Sequence, residues 1–190
     1  MKINITKEKL VVNFVTLLRI SFTLMGILSF YQYGHDADNR WKIIFVILSI
    51  CIYFSDLIDG RLARQWGVSS ANGAKLDLFC DSFYIISCFL TMIWIKISSL
   101  WILVIVLYKL VEFIVLSIIK RKFFEGETYY FYDKTGRGLS VLFYITPAIL
   151  LILHTTSFFN WEYLLEQYTV VFTGLTIISS LVKIIHSASL

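Results

Sequence analysis

The chain has 190 residues, of which 58% are hydrophobic, 17% aromatic and only 16% charged, and its mean hydropathy is +0.76. A soluble domain carries about 25% charged and 45–50% apolar residues; one small core cannot enclose this much apolar surface, so an ordinary water-soluble domain is excluded and lipid is the expected solvent. The net charge of +4 is not gathered into a basic domain apart from the apolar stretches, which argues against nucleic acid as a partner and fits attraction to anionic headgroups.

Six stretches approach the roughly 20 apolar residues that a bilayer span requires: 11–32, 43–59, 78–95, 98–119, 139–158 and 168–187. A single proline and nine glycines suit long uninterrupted helices, and no short alternating segments recur at turn-bounded intervals as a barrel would need. The expected fold is all-α and integral to the membrane, with six transmembrane helices in one domain spanning 1–190. The first ten residues, MKINITKEKL, lack the apolar centre and small-residue cleavage pattern of a signal peptide. They read as a short amphipathic lead-in on the membrane surface. Cys51, Cys80 and Cys88 all fall in predicted helices, where buried free thiols pack as small hydrophobes.

Between the second and third stretches the sequence reads SDLIDGRLARQWGVSSANGAKLDLFCDSF. Charged residues in or at the edge of membrane helices are costly and mark function by default. Asp56 and Asp59 are three apart, and Asp77 and Asp81 four apart, so each pair lies on one face of a helix. The first pair is expected to end the second helix and the second pair to open the third. A short connection makes the two helices antiparallel neighbours, so all four carboxylates converge at one membrane boundary. Carboxylates so placed stay ionised only around positive charge. Hard divalent cations prefer oxygen ligands and commonly bridge phosphates, and a pair of them can grip a diphosphate during in-line displacement. Gly60, Ala63 and Gly73 let a nucleotide or a backbone approach closely, and Arg64 is placed to meet a phosphate or pair with an aspartate. Taken singly, each aspartate reads as a cap or solvated charge, each glycine as a packing or turn residue, and Arg61 and Arg64 as interface anchors. The matched spacing across the loop is what none of those readings explains.

Further along, Lys109 and Glu112 sit three apart at membrane depth and read as an ion pair or a substrate contact. Lys120, Arg121, Lys122, Lys134 and Arg137 flank the polar segment before the fifth stretch. Lys134 and Arg137 are the candidates for holding a phosphorylated acceptor, and Lys120 to Lys122 read as ordinary interface charges. With the N-terminus placed in the cytoplasm, the inner segments hold these five and Lys2, Lys7, Lys9, Arg61, Arg64, Lys75 and Lys183, against Arg40, Lys42 and Lys96 outside. That asymmetry predicts both termini and the aspartates on the cytoplasmic side of the cell membrane.

The run Asp56-x2-Asp59-Gly60-x2-Ala63-Arg64-x8-Gly73-x3-Asp77-x3-Asp81 matches, at every fixed position, the signature of the CDP-alcohol phosphatidyltransferase family, and the chain is identified as resembling that family over nearly its whole length. Asn13-x2-Thr16-x2-Arg19 is similar to the pattern opening the first helix of bacterial phosphatidylglycerophosphate synthases. The resemblance implies that Asp56, Asp59 and Asp77 are metal ligands and that Asp81 is a metal ligand or the general base. It implies that Gly60, Ala63, Arg64 and Gly73 form a CDP pocket, that two Mg2+ or Mn2+ ions serve as cofactors, and that CDP-diacylglycerol is the donor. It also implies a homodimer. A small polar alcohol, glycerol 3-phosphate first, is the implied acceptor. Where those synthases carry Arg-Glu-Phe and a later arginine, this chain has Val111-Glu112-Phe113 and Ile119, so inositol phosphate and serine stay as alternative acceptors. A six-helix cation transporter is the alternative from another class; it would place its polar residues near the midplane and show inverted repeats or broken helices.

Overall fold

The computed structural model describes residues 5–36, 38–68, 70–124, 134–155 and 160–188, with no strand among them. Six helices follow in order: α1 (Ile5–Asp36), α2 (Asn39–Gln65), α3 (Ala71–Trp94), α4 (Leu100–Phe124), α5 (Lys134–His154) and α6 (Trp161–Ala188). Five apolar segments within them are long enough to cross a membrane: Leu10–Asp36, Asn39–Gln65, Asn72–Trp94, Leu100–Ile118 and Trp161–Lys183. The corresponding part of α5, Gly138–His154, is shorter. Their outward faces carry large apolar side chains that water would not tolerate at this density, among them Leu28, Phe54, Trp94 and Val170. The chain is an all-α, multi-pass membrane protein.

Several boundaries depart from the sequence reading. The lead-in is not a separate surface helix from Ile5 onward, because α1 runs unbroken from there to Asp36; nothing between the two parts stops it. Helix α2 continues past Asp59 to Gln65 and ends where Gly67 takes φ +63. There the Val68 N–H donates to the Ala63 carbonyl at 3.1 Å and the Gly67 N–H to that of Arg64 at 3.3 Å, the paired bonds of a Schellman cap. Helix α3 begins before its apolar stretch because Ser70 caps it, its hydroxyl accepting from the Gly73 N–H at 3.1 Å. Asp77 and Asp81 therefore lie inside α3 rather than opening it.

The chain divides into two compact units, residues 1–91 and 92–190. In the first, Gly26 of α1 faces Phe45 of α2, whose ring a Cβ at Gly26 would meet at 3.7 Å. The Phe30 and Phe45 rings pack at a tilt of 31° with a centroid distance of 4.4 Å, and Ser49 and Ile52 continue the buried face of α2. Cys80 and Cys88 are buried as expected, but Cys51 is exposed. It lies on the same side of α2 as the exposed Ile47, Ile50, Phe54 and Ile58, where a thiol is one more small apolar group against lipid.

In the second unit, the Lys109 ammonium of α4 donates to Glu112 Oε2 at 2.7 Å and to the Ser180 hydroxyl of α6 at 2.8 Å. Ser180 also donates to Glu112 at 2.8 Å, and Lys183 lies 3.5 Å from the other carboxylate oxygen. The α4 ion pair is thus a tie between α4 and α6. Phe143 of α5 packs on Phe172 of α6 at 5.2 Å, and Thr146 shares a 2.6 Å hydrogen bond with the Tyr168 hydroxyl.

Candidate active site

Helical spacing brings each acidic pair to one face, and the packing of α2 and α3 beside α1 turns those faces toward one another. One carboxylate oxygen each from Asp56, Asp59 and Asp77 lie within 4.8 Å of one another. Asp81, one turn after Asp77, joins them through a residue of α1. The Arg19 guanidinium reaches all four: its Nη2 lies 3.2 Å from Asp56 and 2.7 Å from Asp59, and its Nη1 2.8 Å from Asp77 and 2.5 Å from Asp81. Thr16, one helical turn before it, donates its hydroxyl to Asp59 at 2.9 Å. The Cys80 thiol points to the Thr16 carbonyl at 3.6 Å.

The four acids are not equivalent. Asp59 lies at the bottom with its side chain 4% exposed, while those of Asp56, Asp81 and Asp77 are 30%, 23% and 42% exposed. A ligand therefore meets Asp77 and Asp56 first and Asp59 last. Only one of the four negative charges is offset by Arg19, so the cluster keeps the strong negative potential that attracts a multivalent cation.

The residues fit a hard divalent cation. The donors are all carboxylate oxygens, the ligand type that Mg2+ and Mn2+ prefer. Asp56, Asp59 and Asp77 are the residues that could hold such an ion.

The other sequence candidates fall around this cluster. Gly60 follows Asp59 within α2, and the space above its Cα is taken by the Arg64 guanidinium, which an added Cβ would meet at 3.7 Å. Arg64 is exposed and Ala63 half-buried beside it on α2. Gly73 sits in the first turn of α3, where a Cβ would press on the Ser70 hydroxyl at 3.2 Å. Lys134 and Arg137 lie in the first turn of α5; their side chains are outside the described residues, as are those of Lys120, Arg121 and Lys122.

Sequence reading missed the placement of Arg19 and Thr16. Thr16 and Arg19 were legible as part of the Asn13-x2-Thr16-x2-Arg19 pattern, and Arg19 as a charge inside an apolar helix, which is a functional signal by itself, but nothing tied either to the aspartates. The partners of Arg19 lie 40 to 62 residues downstream for Asp59, Asp77 and Asp81, a pairing that no local spacing encodes.

Among curated proteins, the chain is similar to a cardiolipin synthase (CMP-forming) of Streptomyces coelicolor, 27% identical over 139 residues that make up 70% of this chain and 62% of that protein. It is also similar to a phosphatidylinositol phosphate synthase of Streptomyces avermitilis, 42% identical over 67 residues, 35% of this chain and 25% of that one. The chain thus spans less than two thirds of the length of these relatives. No solved structure matches it significantly. The family model described as CDP-alcohol phosphatidyltransferase matches residues 9–182, nearly the whole chain and every aspartate of the cluster, and the chain belongs to that family.

Proposed function

We propose that the chain transfers a phosphatidyl group from CDP-diacylglycerol to a small polar alcohol and releases CMP. The convergence of Asp56, Asp59, Asp77 and Asp81 on one point carries this proposal. A diphosphate approaches such a concentration of negative charge only with cations between, and Mg2+ or Mn2+, two ions per site, supplies that neutralisation when bound. Asp56, Asp59 and Asp77 would hold the cations. Gly60, Ala63, Arg64 and Gly73 line the CDP pocket. Asp81 accepts the acceptor's hydroxyl proton as that oxygen attacks the phosphorus bearing diacylglycerol. A P–O bond to the acceptor forms, the bond to the bridging oxygen breaks, and that oxygen leaves on CMP. Positioning and fixed charge account for most of the acceleration.

Glycerol 3-phosphate is the proposed acceptor, with Lys134 and Arg137 holding its phosphate. The similarity to a cardiolipin synthase supports a second reading, in which the acceptor hydroxyl belongs to a phospholipid such as phosphatidylglycerol. That to a phosphatidylinositol phosphate synthase keeps inositol phosphate as a third. The family match over residues 9–182 supports one functional domain. The charge asymmetry supports a cell-membrane protein whose site faces the cytoplasm, and the resemblance supports a homodimer.

The test is purified protein in nanodiscs with CDP-diacylglycerol, Mg2+ and one alcohol at a time, read by CMP release and lipid mass spectrometry. Phosphatidylglycerophosphate from glycerol 3-phosphate is expected, and its acceptor KM rises about tenfold to a hundredfold in the K134A/R137A variant, as for a lost charge-assisted hydrogen bond. Cardiolipin as the sole product moves the acceptor to a lipid. Absence of CMP with every alcohol removes the transferase reading, and cation flux in liposomes then tests a transporter.

A further inference from the structure

Arg19 is the one buried cation among the described residues of the α1–α3 unit, with 0% of its side chain exposed. Its two terminal nitrogens occupy Asp56 Oδ1, Asp59 Oδ2, Asp77 Oδ1 and Asp81 Oδ1. Three of those residues form the group able to hold an ion. An oxygen lone pair engaged by an N–H is not free for a cation, and a guanidinium close to a divalent ion is repelled by it. Nor can Arg19 leave by losing its proton, since a guanidinium stays charged in proteins. The two cations therefore compete for one set of carboxylates, and the arginine yields only by moving.

We infer that Arg19 is a tethered counter-cation of the metal centre. It holds the four carboxylates together before metal arrives and is exchanged from them by the divalent ion. The inference rests on the reading of Asp56, Asp59 and Asp77 as metal ligands. It makes Arg19 a positioning residue whose charge sets how tightly metal binds. Such coupling between two ligands of one cluster is commonly worth 5- to 150-fold in affinity.

The test is Mn2+ titration of the purified 190-residue chain, followed by the electron paramagnetic resonance signal of free Mn2+, with thermal unfolding in EDTA and in Mn2+. The wild type is compared with Arg19→Gln and Arg19→Lys. Arg19→Gln is expected to bind Mn2+ about tenfold more tightly or better. It should unfold at lower temperature in EDTA, where the carboxylates repel unopposed, and gain more from Mn2+ than the wild type does. Arg19→Lys keeps the charge but not the fork, and should fall between them. If Arg19→Gln does not fold, Arg19→Lys decides by the same criterion. A folded variant that binds Mn2+ no more tightly than the wild type overturns the inference while the metal centre stands. A wild type that binds no Mn2+ overturns the metal centre and the inference with it.

Discussion

Asp59 is the least accessible acid of the cluster and accepts from both Thr16 and Arg19. Replacing it with Asn keeps the shape but removes a charge that a cation requires, as do the same changes at Asp56 and Asp77. Each is expected to lower CMP release by at least about a hundredfold, by analogy with removal of one electrostatic group from a transfer site. EDTA should do the same to the wild type, with Mg2+ or Mn2+ restoring it; full turnover in metal-free buffer would overturn the assignment. Asp81→Asn is expected to keep Mn2+ binding yet lose transfer, because an amide does not take a hydroxyl proton. The aspartates were legible in the sequence because helical geometry turns a spacing of three or four into a shared face. The place of Arg19 among them was not, because what sets it is the approach of α1 to α2 and α3 rather than any neighbour in the chain.

Among the elements, α2 and α3 were foreseen as helices but cut short at the ends that face each other along the chain, because the apolar stretches stop at Asp59 and resume only after Asp77. What extends both helices is capping: Gly67 closes α2 and Ser70 opens α3. An added Cβ at Gly67 meets nothing within 4 Å, so the cost of Gly67→Ala is that of the left-handed backbone alone, about 1–2 kcal/mol. A lower unfolding temperature without a clash is expected, and an unchanged one would mean that the cap does not hold the turn. On α4, Lys109 and Glu112 were read as neighbours on one helix, whereas the second helix of the arrangement, α6, enters through Ser180. Glu112→Ala strands a buried ammonium and is expected to destabilise by about 3–5 kcal/mol. The Lys109→Met/Glu112→Leu pair removes both charges and should be far milder, which thermal unfolding of the two variants separates.

For the molecule in its membrane, composition alone was enough to set the solvent, and apolar length found five spans and the shorter apolar part of α5; the proposed direction of insertion rests on the basic residues. The two ends of α2 give the simplest check. Cysteine reporters at Arg40 and at Gln65, both exposed, in a background lacking the native thiols, are expected to label from the outside and from the cytoplasm respectively. Labelling in the reverse sense would invert the orientation. The enclosure of Arg19 has a consequence for biogenesis as well. Translation delivers α1 to the insertion machinery before any of its acidic partners exists, the last of them 62 residues further on. Until then an arginine within the apolar span Leu10–Asp36 opposes insertion, at a cost below the roughly 2.5–3.5 kcal/mol of a charge at the span centre. In a glycosylation-reporter assay, α1 released alone should insert less well than its Arg19→Leu variant, and that difference should vanish once the nascent chain extends through α3. The pocket would then act as a late lock on the first span, engaging only after three helices have entered the bilayer.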